Sequence, residues 1–161
     1  MRNSEKSRLT LITLRVSLAL FGTVLIGGAP AATLDFTFRD ANGSIYRSTQ
    51  LAADIERNIH VRPPSPRALV VHAVSREDPR LRKQEKLLAG LDWENLQLLL
   101  VISLEKGAAL NGYSTDAANS KQLAAVLGSF GVALLDASGV ILLRSTQPVG
   151  PEQVRAALRR P

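Results

Sequence analysis

Two rhythms of apolar residues divide this chain. Leu34-Asp35-Phe36-Thr37-Phe38 alternates apolar and polar positions, the period of a half-buried strand. Asp40-Ala41-Asn42-Gly43 is turn chemistry, because Asn and Gly tolerate positive φ, so Ser44 to Arg47 is expected to return as the second strand of a hairpin. Thr49 is placed to cap a short helix through about Arg57, with Leu51, Ile55 and Ile59 inward. Arg62-Pro63-Pro64-Ser65-Pro66 then predicts a stiff extended connector, since proline fixes φ and donates no N–H.

Beyond the prolines the rhythm changes. Ala68-Leu69-Val70-Val71-His72-Ala73-Val74 is apolar at successive positions, which suits a central strand covered on both faces. Asp78-Pro79 predicts a helix start, with Asp accepting backbone N–H bonds and Pro at the first helical position. That helix is expected to carry Leu81, Leu87, Leu88 and Leu91 inward, to show Arg80, Arg82, Lys83, Glu85 and Lys86 to solvent, and to stop at Gly90. Leu96 to Leu104 reads as a second central strand, Glu105 to Thr115 as an irregular loop, and Ser120 to Leu127 as a short helix. Val132 to Leu135 and Val140 to Leu143 flank Asp136-Ala137-Ser138-Gly139 as a hairpin, and Gly150-Pro151 opens a last helix with Val154, Ala157 and Leu158 on one side. From Ala68 the order is strand, helix, strand, helix, strand, strand, helix. Two strand–helix–strand crossovers predict parallel neighbours, and the hairpin adds antiparallel ones, giving a mixed sheet with helices on both faces.

The N-terminus follows another logic. Arg2, Lys6 and Arg8 precede an 11-residue apolar run, Val16 to Ile26, which Gly27-Gly28 breaks before the small residues Ala29-Pro30-Ala31. Positive, apolar and small-residue regions in that order make a secretory signal. A spanning helix would have to run from Leu9 to Ile26, 18 residues with Arg15 inside, short of the roughly 20 apolar residues a bilayer needs. Cleavage after Ala31 would leave 130 residues, enough for one domain with its own core. Retention would instead leave an anchor; after cleavage no membrane attachment is expected.

Charge and composition narrow the functions. The net charge is +6, but the leader holds Arg2, Lys6, Arg8 and Arg15 against Glu5, so it contributes +3 and residues 32–161 keep only +3. Aromatic residues are 4% of the chain and basic residues alternate with acids, so nucleic acid is not an expected partner. There is no cysteine. An exported chain without one has no disulfide, no thiol redox centre and no cysteine metal site, and its core must hold by packing.

The element order is that of the thioredoxin fold, and Phe36-Thr37-Phe38-Arg39-Asp40-Ala41-Asn42-Gly43-Ser44 resembles the opening hairpin of exported thioredoxin-like and peroxiredoxin-like proteins. Residues 67 to 160 resemble the bacterial thioredoxin-like family catalogued as domain of unknown function 4174. The stretches that carry this are Arg67 to Val71, Ser75 to Gln84 and Ala133 to Arg144. The resemblance implies an α/β domain over residues 67–161, preceded by a hairpin, short helix and connector over 32–66, with export to the bacterial periplasm. In redox members, the first core strand runs into two cysteines at the next helix's N-terminus, where the helix dipole stabilises a thiolate. Here that place is Val74-Ser75-Arg76-Glu77-Asp78-Pro79. A cis-proline also precedes the third core strand of active relatives; its counterpart lies near Phe130-Gly131, where no proline stands. Thiol–disulfide chemistry is thereby excluded.

Ser75, Arg76, Glu77, Asp78, Phe130 and Gly131 remain as a candidate binding surface, at the carboxyl end of a core strand where open α/β sheets bind ligands. Its expected partner is an envelope protein or a peptide, with no cofactor. The rival expectation is a hydrolase or isomerase using Asp78, Glu77 or Ser75, which would require a carboxylate with a raised pKa. Against it stands the plainer reading of Asp78 as a helix cap. His60 and His72 are too few and too far apart for a zinc or iron site, and His72 is expected to pack within its strand. Gly128-Ser129-Phe130-Gly131 lacks the nucleophile-elbow pattern, and Glu105-Lys106-Gly107 lacks the glycine spacing of a phosphate loop. Asp35, Asp40, Asp54 and Glu56 would pair as catalytic acids only by a chance of tertiary structure. Trp93 is expected to pack at the edge of the second core strand.

Overall fold

A computed structural model describes residues 32–60, 66–107 and 112–159. The leader and most of the proline connector lie outside the described residues. The first hairpin is β1 (Thr37–Arg39) and β2 (Ile45–Arg47), paired antiparallel, with Asp40 Oδ1 accepting the amides of Asn42 and Ser44 in its turn. Thr49 does not cap the helix that follows. Its hydroxyl donates to Asp35, Ser48–Gln50 forms a single 3-10 turn, and α1 (Leu51–Ile59) begins after it without a side-chain cap. Leu51 and Ile55 are buried as the spacing predicts, whereas Ile59 stays half exposed at the helix end.

The central strands are β3 (Arg67–Ala73) and β4 (Leu98–Leu104), parallel in full register and joined by α2 (Pro79–Leu88) and the short α3 (Trp93–Leu96). Trp93 is partly buried against the core beside β4. Within the loop expected before α4 (Ala117–Leu127), Tyr113–Ser114 forms a two-residue strand, β5. It bridges β4 and β1, joining the hairpin to the main sheet. β6 (Phe130–Leu135), β7 (Ile141–Ser145) and α5 (Pro151–Leu158) complete a seven-stranded sheet of order β2-β1-β5-β4-β3-β6-β7.

The second crossover departs from expectation: β6 runs antiparallel, and beside β3. The cause is the course of α4, which crosses the strands instead of lying along them. Asn119 meets Thr37 of β1, Ser120 meets Ser103 of β4, and Val126 accepts a hydrogen bond from Arg144 of β7. A helix set crosswise delivers the chain to the end of the sheet that it left, so the next strand must run back down. Asp136 Oδ1 accepts the amides of Ser138 and Val140, and Gly139 takes φ 78°, as the β6–β7 turn predicts.

Each sheet face buries its own cluster. Leu69, Val71, Phe130, Val132 and Leu134 pack against Leu81 and Leu88 of α2 and Val154 and Ala157 of α5. Ala68, Val70, Val101, Ala133 and Leu135 pack against Phe36, Phe38, Tyr46, Leu51, Leu123 and Leu127. At roughly 1.5–3 kcal/mol for each large apolar side chain fully buried, two such layers account for a fold without disulfides. The outer edge of β2 is closed by α1: Asp54 accepts the Arg47 amide at 2.6 Å and Asn58 donates to the Ile45 carbonyl. Among the described residues no helix is long and apolar enough to cross a membrane.

Candidate functional site

β3 ends at Ala73, and the chain turns through Val74 to Glu77 into α2. Asp78 Oδ1 accepts the Arg80 amide at 2.8 Å as N-cap, and Pro79 fills the first helical position. The Arg80 side chain then folds back on the cap, donating from Nε to Oδ1 at 3.1 Å and from Nη2 to Oδ2 at 2.8 Å. Its guanidinium carbon stands 5.0 Å from the centroid of the Phe130 ring, within cation–π range. Nη2 also reaches Ser129 Oγ at 3.4 Å. Arg76 is held by Glu85 one turn and a half into α2, at 2.7 Å.

Register brings the two halves of the candidate surface together, since Ala73 pairs with Phe130 and His72 with Gly131. Their depths differ. Phe130 is 2% exposed, and Gly131 is also buried, so both lie behind the surface. Gly131 is required there: a Cβ would stand 2.7 Å from Leu127 Cβ and from the Leu127 carbonyl oxygen. The solvent-facing groups are Glu77, the partly exposed Ser75 and Arg76, and two residues that sequence reasoning did not single out, Arg80 and Ser129. The sequence pattern puts Arg80 on the solvated helix face. Its i+2 spacing from a capping Asp was the available signal.

The electrostatics oppose acid–base catalysis by these carboxylates. The Arg80 side chain, bonded to Asp78, holds that carboxyl below its ordinary range despite burial, and the cap amides add to the effect. The Ser75 hydroxyl does the same for Glu77. A general acid at neutral pH needs the opposite displacement. Elsewhere, Asp35 is paired with Arg47 and Asp54 with Arg57, while Asp40 serves its turn, so three of the four acids weighed as possible pairs have a local task. His60 caps α1 in the left-handed region and is exposed. Among the described residues no group of three or more His, Asp or Glu side chains is arranged to hold a metal.

Below the corner sits a buried polar cluster that the sequence did not reveal. His72 Nδ1 lies 3.0 Å from Ser103 Oγ, its register partner on β4. Ser103, Thr115 and Ser120 hydroxyls form a triangle with sides of 2.8 to 3.0 Å. His72, Ser103 and Ser120 are fully buried.

No family model and no curated protein matches the chain. Solved structures do match. A conserved protein of unknown function from Bacteroides fragilis superposes with a TM-score of 0.51 at 17% identity, over 81% of this chain and 98% of that one. A putative thiol:disulfide interchange protein, DsbE, from Chlorobium tepidum gives 0.50 at 14% identity, over 78% and 94%. The chain has a thioredoxin-like fold. Within that thioredoxin-like fold, a carboxylate locked to an arginine occupies the N-terminus of the helix that follows β3.

Proposed function

We propose that this is an exported, non-redox thioredoxin-like domain of the bacterial periplasm that acts by binding an envelope protein or peptide, and that it belongs with the family catalogued as domain of unknown function 4174. The observation that carries the reading is the Asp78–Arg80–Phe130 stack at the carboxyl end of β3, where open α/β sheets receive ligands. Asp78 and Phe130 fix the guanidinium plane, so little side-chain entropy is left to lose on binding. Asp78 takes Nε and Nη2, which leaves Nη1 uncommitted to it. Arginine carries five donors, and a fixed donor of this kind suits a peptide carbonyl. The positive, apolar and small-residue order of residues 1–31 supports export.

Capture from a periplasmic extract tests the binding site. Arg80→Ala and Arg76→Glu are expected to lose the proteins that wild type retains, while Lys121→Ala on α4 keeps them. An unchanged set of bound proteins in all variants would remove the corner from consideration. Intact mass of the exported protein tests the leader: a chain of residues 32–161 is expected, and retention of residues 1–31 would replace export by anchoring.

A further inference from the structure

His72 is fully buried, and its Nε2 makes no hydrogen bond. Glu105 Oε1 stands 3.6 Å from it, beyond bonding distance. Two proton arrangements satisfy the cluster on the other side of the ring. If the three hydroxyls donate around their triangle, His72 must carry its proton on Nδ1 and donate to Ser103, leaving a bare lone pair on Nε2. If Ser103 donates to Nδ1 instead, the proton sits on Nε2 and reaches no acceptor. The neutral ring is therefore one bond short either way. Glu105, His72 and Ser103 stand in the order of a hydrolytic relay, yet Ser103 is sealed under Ser120 and Thr115 and cannot meet a substrate.

We propose that His72 and Glu105 form a proton-operated clasp that ties the segment after β4 to the core beneath the Ser75–Asp78 corner. A proton taken from solvent gives an imidazolium with both nitrogens donating, Nδ1–H to Ser103 and Nε2–H to the Glu105 carboxylate, which moves inward to accept it. The segment in question already leans on β3, with the Glu105 amide donating to Ala73 O and the Lys106 amide to Val74 O. Those two residues lead directly into the corner. Ser103 of β4 and Gly131 of β6 are the register neighbours of His72, and Ser120 of α4 and Thr115 before it reach Ser103; among the described residues Glu105 is the only charged group acting on the ring. The inference stands without the binding reading, since it concerns only the cluster.

Burial lowers the folded-state pKa of His72 below its ordinary 6.5, against the opposing pull of Glu105. As pH falls, the unfolded chain thus takes the proton first. Stability is full above about 6.5 and is lost as the pH falls through that value towards the folded-state pKa. Glu105 limits the loss.

The test is an NMR titration of the His72 ring with urea unfolding at pH 8 and pH 5, in a His60→Gln background that leaves one histidine signal. Glu105→Gln changes only an exposed side chain and is expected to move the ring titration to lower pH. It should reduce the folded-to-unfolded ratio about fivefold at pH 5 and leave it unchanged at pH 8. Glu94→Gln, which removes the same charge before the opposite end of β4, should do neither. A ring titration identical in wild type and Glu105→Gln would overturn the clasp, as would an equal stability loss at both pH values. So would a wild-type ring that stays neutral until the fold is lost.

Discussion

A carboxylate at the N-terminus of α2 orders the corner around it. The free backbone N–H groups and the helix dipole hold Asp78, and Asp78 in turn fixes Arg80 over Phe130. The corner is satisfied internally, and on the proposed reading Arg80 is the group that meets a partner. Removing the cap has a defined cost. Asp78→Ala should lose about 1 kcal/mol in urea unfolding at neutral pH. Arg80 holds the folded-state pKa of Asp78 below the unfolded value, so the stabilisation is present above about 4 and is lost as the pH falls through the folded-state pKa. The difference between Asp78→Ala and wild type should accordingly shrink in strong acid; a difference of constant size across that range would contradict the assignment. Residue types made much of this readable in advance. Asp78-Pro79 marks a helix start, and the chain has no cysteine to place there. The depth of Phe130 and Gly131 was not readable, because a strand apolar on both faces does not say where its buried section begins.

At the scale of elements, long apolar or strongly periodic segments were legible and short or crosswise ones were not. β3, β4, α2 and the β6–β7 hairpin fall where runs of Val, Leu and Ile and the Asp136–Gly139 turn put them. β5 has only Tyr113 and Ser114, too few to show a period, and exists because β4 and β1 each offer it an edge. The direction of β6 depends on α4 crossing the strands. That course is set by tertiary contacts from Thr37 to Arg144, which no local spacing encodes. The spacing puts the start of α4 at Ser120, whereas Asp116 caps that helix by accepting the Asn119 amide, and Ser120 turns inward to the His72 cluster. Gln84 is a similar case. A polar residue at an inward helical position, it is fully buried because its amide takes both Val149 O and Val149 N, clamping α2 to the segment before α5. Composition alone would place such a residue outside.

The described residues form one mixed sheet with an apolar layer on each face, and among them polar groups enter the interior only where partners await them. Val149 answers Gln84, Ser103 answers His72, and Arg47 answers Asp54. His72 Nε2 is the exception among the buried side-chain atoms described, and it lies next to the corner at which β3, β6 and α2 meet. A scaffold with its β2 edge closed by α1 and one corner held by a solvent-facing guanidinium is suited to presenting that corner, which is the sense in which this thioredoxin-like fold is read as a binding module. Backbone amide shifts of the isotope-labelled protein, recorded as a captured partner is added, test this most directly. The account predicts changes concentrated at residues 75–80 and 128–131. Changes concentrated at β2 and α1, with residues 75–80 unmoved, would contradict it.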